Sequence, residues 1–133
     1  MLFEFLIPKR PVSLQARNRN NLQQWKYFVH NQAAMTYSGI LYDDSVNLHL
    51  SLAYLYEDSP LDVDNIIKPI QDALVGLIYQ DDSVITDVES HRRWLHEPFD
   101  ITKYSDLLIQ GILSKKECVY VRISESKPLE SYL

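Results

Sequence analysis

One cysteine, Cys118, in 133 residues leaves no partner for an intramolecular disulfide. No apolar run approaches the roughly 18 residues needed to cross a bilayer, so no membrane is expected among the partners. Met1-Leu2-Phe3-Glu4 has neither the charged start nor the long apolar segment of a secretory signal. Together with the single thiol, this predicts a reducing, cytoplasmic setting. Internal repeats and low-complexity tracts are missing, and His30, His49, His91 and His96 show no metal-like pairing. Base is also scarce: 13 Lys and Arg stand against 18 Asp and Glu, a formal charge of −5. That balance argues against coating nucleic acid by bulk electrostatics.

The charge that is present is unevenly placed. Residues 1–26 hold Lys9, Arg10, Arg17, Arg19 and Lys26 against Glu4 alone, five minus one or +4. That segment is suited to meet phosphate, with Arg17 and Arg19, in an Asn-rich stretch, the DNA-contact candidates. Between Glu57 and Glu89 lie nine of the 18 acids and one base, Lys68. Carboxylates crowded in this way repel one another unless they are fully solvated or share a cation. Oxygen ligands with no Cys or His among them suit Mg²⁺ or Mn²⁺ rather than zinc.

With 46% hydrophobic and 23% charged residues, the composition is that of one globular domain spanning 1–133. Residues 2–7 read as a strand closed by Pro8 and Pro11. Asn20 to Met35 places Leu22, Trp25, Val29 and Ala33 at helical spacing, and 37–44 reads as a loop. Val46 to Tyr56 alternates as a half-buried central strand, ended by Asp58-Ser59-Pro60. A helix with Val63, Ile66, Ile67, Ile70, Ala73, Leu74 and Leu77 on its apolar face follows. If it ran unbroken, Asp64, Lys68 and Asp72 would share its polar face. Pro69 predicts instead that a regular helix starts near Lys68 or kinks there. A third strand spans Val84 to Trp94 and a weaker helical pattern, interrupted by Gly111, spans Lys103 to Lys116. Glu117 to Ser124 is a closing strand, with a loose tail after Ser126. The order predicts an α+β domain, with a mixed, mainly antiparallel sheet of about four strands and two or three helices. Asp62, Asp64 and Asp82 then fall at the ends of one strand–helix–strand unit and are expected to converge on a cation.

The run Asp62-Val63-Asp64-Asn65-Ile66-Ile67-Lys68, then Asp72-Ala73-Leu74, Gly76 and Asp81-Asp82, resembles the central motif of the RusA family of Holliday-junction resolvases. The resemblance spans roughly residues 60–85 and is specific in order and spacing. It implies a RusA-like fold and a small homodimeric endodeoxyribonuclease, dependent on a divalent metal, that resolves four-way DNA junctions by paired nicks. By position, Asp62, Asp64 and Asp82 would hold Mg²⁺, with Mn²⁺ as the other candidate, and Lys68 would stand by the scissile phosphate. Asn65 would orient a ligand. The chain departs from the family pattern in carrying Tyr56-Glu57-Asp58-Ser59-Pro60 where a basic run is expected, and in its longer segment between Trp94 and Glu117.

Each residue also has an ordinary structural use. Asp62 and Asp64 could cap a helix, Lys68 alone could be a solvated lysine, and Asp81-Asp82 could make a polar turn. Asp72 is read as an i+4 partner of Lys68 and not as a ligand. Arg92-Arg93 is read equally as a phosphate contact or a solvated strand end. Two alternatives to junction resolution stay open. One is a catalytically weak or inactive relative that binds branched or single-stranded DNA, the other a metal-dependent nuclease cutting flaps or RNA.

Overall fold

Alternation along Leu48, Leu50, Leu52 and Tyr54 makes strand β2 (Leu48–Tyr56) the inner axis of a four-stranded sheet. A computed structural model describes residues 2–133 of the chain. Strand β1 spans Phe3–Ile7, β3 Ile85–Trp94 and β4 Cys118–Glu125, in the spatial order β1-β4-β2-β3. Antiparallel pairing joins β4 to both β1 and β2, whereas β2 and β3 run parallel. The parallel pair needs a crossover, and α2 (Ile67–Ala73) lies in it. With α1 (Arg19–Ala34) and α3 (Asp106–Ser114), the result is the α+β fold with a mixed, mainly antiparallel sheet.

One face of the sheet carries the main core. Leu50, Ile123 and Phe5, with Leu52, Val121 and Tyr54, pack against Trp25 and Val29 of α1 and Ile70 of α2. Helix α1 starts where Asn18 Oδ1 accepts the Asn20 and Asn21 N–H groups at 3.0 and 3.2 Å. Trp25, Val29 and Ala33, four residues apart, make its buried stripe. The opposite face of the sheet is covered by α3 over β1 and β4, through a smaller cluster of Leu55, Leu95 and Cys118 with Leu6, Leu108 and Ile112.

Two residues that weakened the helix reading have structural reasons. Gly111 sits where an added Cβ would come 3.0 Å from Leu6 Cδ1 and 3.3 Å from Cys118 Sγ, so its lack of a side chain sets α3 close to the sheet. Pro69 lies in the first turn of α2, where a backbone N–H has no intrahelical acceptor to lose. The helical pattern from Val63 therefore resolves into turns over 63–66 followed by a short helix, and Gly76, at φ 84°, reverses the chain after it. The tail is anchored by a 3₁₀ turn at Leu129–Ser131 and by the Tyr132 hydroxyl, which lies 3.3 Å from His49 Nδ1.

Candidate active site at the acidic loop

The segment Leu61–Ile66 leaves β2 and folds on itself: the Asn65 N–H donates to the Asp62 carbonyl at 3.1 Å. Strand β3 holds this loop from one side. Ser90 Oγ donates to the Val63 carbonyl at 2.7 Å, and Arg92 Nη1 donates to the Leu61 carbonyl at 2.9 Å. The N-terminal basic segment holds it from another, the Leu14 N–H donating to the Asn65 carbonyl at 3.0 Å. Because its backbone is fixed at three points, the loop can present both aspartates outward without a regular helix. Asp62 and Asp64 are exposed and line a cleft of about 480 Å³ with Ser90, His91, Arg92 and Arg93. The Arg92 guanidinium stands 3.6 Å from the Asp62 carboxylate, while Asp64 takes part in no ion pair among the described residues.

Lys68 belongs to a second group one turn on. Its ammonium contacts Asp82 and lies 2.9 Å from Asp72 Oδ1, the i+4 pairing expected from the sequence. Lys26 of α1 reaches the other Asp72 oxygen at 3.3 Å. Hydrogen bonds first to Asp82 and then to Asp72 push the Lys68 pKa up to about 12, so the amine stays charged at any working pH. The neighbouring Asp81 is turned away to a local task. It accepts the Ser83 N–H at 3.2 Å, starts the 3₁₀ turn Asp82–Val84, and is held below its ordinary pKa by that contact. Asp82, half-buried, is the member of the pair that faces Lys68.

The expected convergence of Asp62, Asp64 and Asp82 is thus divided into two groups. Among the described residues no three Asp, Glu, His or Cys side chains gather around a point that could hold a metal ion. The donor chemistry still fits a hard divalent cation, since Mg²⁺ commonly takes one or two carboxylates and completes its shell with water and substrate phosphate. Asp62 and Asp64, exposed on one cleft, supply such a pair. Arg17 and Arg19 are both exposed, just before and at the first residue of α1. Arg10, by contrast, is committed to Glu117 and to the carbonyls of Asp58 and Ser59.

Sequence reasoning did not assign the tethers Ser90 and Arg92, or Lys26 as a partner of Asp72. Ser90 and Arg92 lie opposite Leu52 and Tyr54, on the core side of β3. Their alternation with Glu89 and His91 was the available signal.

An α+β domain whose acidic loop opens onto a cleft of two carboxylates and two arginines, with a charged lysine in a second group beyond it, has groups suited to phosphate esters. The family model for Endodeoxyribonuclease RusA matches residues 9–101, and the chain belongs to that family of endodeoxyribonucleases. Comparison with curated proteins gives no match. Among the described residues, no helix is long and apolar enough to cross a membrane.

Proposed function

We propose that the 133 residues act as one nuclease domain that resolves four-way DNA junctions by paired, metal-dependent nicks, as a homodimer in the cytoplasm. The observation that carries this reading is the conjunction of the family match with a motif loop that sets Asp62 and Asp64 on an open cleft. In it, Asp62, Asp64 and Asp82 would hold Mg²⁺, with Mn²⁺ as a substitute, and the ion when bound would supply charge neutralisation at the phosphoryl oxygen.

The protein's own groups do the positioning. Ser90 and Arg92 fix the backbone that carries Asp62 and Asp64, removing an ordering cost from the reactive state. Lys68 is the charge that meets the scissile phosphate. Its ammonium is held between Asp72 and Asp82, and engagement of Asp82 by a bound cation would free it to turn to phosphate. Asp72, shared with Lys26, keeps the Lys68 stem oriented during that exchange. A lysine that stays charged stabilises the negative charge building on the phosphoryl oxygens. Arg17 and Arg19 contact the DNA backbone outside the reacting centre. A two-fold dimer would place two such clefts for symmetric cuts.

The −5 charge favours one second reading, a relative that binds branched or single-stranded DNA without cutting it. The test is a comparison, at fixed salt, of labelled four-way junction, linear duplex, flap and RNA, each with Mg²⁺, Mn²⁺ or chelator. Metal-dependent cutting of the junction alone supports resolution. Preferential cutting of flap or RNA replaces the substrate, and binding without cutting in every metal condition selects the second reading.

A further inference from the structure

The sheet face turned away from α1 and α2 is only partly covered. Helix α3 packs on β1 and β4, leaving the neighbouring part of β2 and β3 open. A cavity of about 280 Å³ lies there. Its outer wall is apolar and aromatic, formed by Phe99, Tyr104, Leu108 and Ile112. Its floor is the polar side of the sheet, where Ser51, Glu89, Arg93 and Arg122 stand.

The acids near that floor already have partners. Glu89 accepts from Ser51 at 3.2 Å and is flanked by His49 Nε2 at 2.9 Å and His91 Nε2 at 2.8 Å. Glu4, opposite Arg122 on β1, accepts the Tyr120 hydroxyl proton. Arg93 donates to the Arg92 carbonyl at 2.9 Å. Neither Arg93 nor Arg122 forms an ion pair among the described residues. Two guanidiniums outside any ion pair, with the one carboxylate on the floor, Glu89, already flanked by two histidines, stand beside an aromatic wall and suit a ligand that is anionic at one end and flat at the other.

Two further observations narrow the ligand. His91 and Arg93 line both this cavity and the cleft of Asp62 and Asp64, so a strand crossing the β3 edge reaches both. Tyr104, Leu108 and Ile112 of the wall and Arg122 of the floor lie beyond residue 101, where the family match ends.

We propose that this cavity binds one unpaired nucleotide of a DNA strand, its phosphate held by Arg93 and Arg122 and its base laid against Tyr104 and Phe99. The choice of DNA rests on the nuclease reading above. The cavity adjoins the cleft but includes none of Asp62, Asp64, Lys68 and Asp82, and it has its own readout.

The test measures anisotropy of a labelled short oligothymidylate in chelator, against an abasic oligonucleotide of equal length and against thymidine monophosphate. Arg122→Ala and Tyr104→Ala should each weaken oligothymidylate binding about tenfold, the order expected for a lost phosphate contact or one lost base stack. Arg122→Lys should retain part of the affinity through its charge. The abasic strand should bind weakly and be indifferent to Tyr104→Ala. Equal binding by all variants, or an abasic strand as tight as oligothymidylate, overturns the proposal. Thymidine monophosphate binding as tightly as the strand overturns the strand assignment in favour of a free nucleotide. Thermal melts matching wild type show that the variants fold. A wild type that cuts junctions yet binds oligothymidylate no better than the variants overturns this inference alone. One that neither binds nor cuts DNA overturns both readings.

Discussion

Replacing Lys68 by methionine separates its ion-pair contribution from the role at phosphate proposed for it, because the structural and chemical costs differ in size. The lysine side chain is 47% exposed, and its partners Asp72 and Asp82 are 30% and 22% exposed. Solvent-exposed ion pairs of this kind contribute about 0–1 kcal/mol each. Asp72 keeps Lys26, so only Asp82 loses its cation. The expected loss in unfolding free energy is therefore about 1 kcal/mol, read by urea denaturation. Its pH dependence follows from the raised pKa. The Lys68 contribution is fully present below the ordinary lysine value of 10.5 and fades only as pH rises through about 12. The wild-type and mutant stability curves should run parallel between about pH 6 and 9. Loss of a fixed positive charge at the developing phosphoryl charge costs about 10²–10³ in rate. A single-turnover junction-cleavage assay should show that drop. Lys68→Met cutting within about threefold of wild type, while folded, would reduce Lys68 to a structural ion-pair partner and refute the reasoning.

Three more outcomes follow from the geometry. Arg92→Ala releases the Leu61 carbonyl and the flank of Asp62 and should slow junction cleavage about ten- to hundredfold, at about 1 kcal/mol in stability; unchanged kinetics would show that the loop needs no tether. Gly76→Ala forces a side chain onto a backbone at φ 84° and should lower the unfolding free energy by about 1 kcal/mol; an unchanged urea midpoint would contradict that. Cys118 is buried, and burial pushes its thiol pKa up to about 11, so a thiol reagent at neutral pH should label it only after denaturation.

The main elements were legible because their periodicities are clean. Leu48, Leu50, Leu52 and Tyr54 recur at every second position, and Trp25, Val29 and Ala33 keep helical spacing, so β2 and α1 were placed within a few residues. The region after Pro60 was harder, because Val63, Ile66 and Ile70 are spaced as in a helix while their backbone is a turn followed by a helix. Hydrogen bonds from Ser90, Arg92 and Leu14 decide that shape, and such distant contacts leave no periodic trace. The same holds for the candidate site. Spacing brought out Lys68 with Asp72 as an i+4 pair, but the Lys68–Asp82 contact depends on where β3 begins in space. The tail read as loose because its anchor, Tyr132 against His49, joins residues far apart in sequence.

Asp64, set on the cleft by its tethered loop, is proposed to serve in cutting DNA junctions. The most direct measurement maps nick positions on every strand of a labelled four-way junction, with Mg²⁺ or chelator, for wild type and Asp64→Asn. Symmetric, metal-dependent nicks on opposing strands that vanish in Asp64→Asn are the predicted result. Nicks that persist in the mutant, or that survive the chelator, would contradict it.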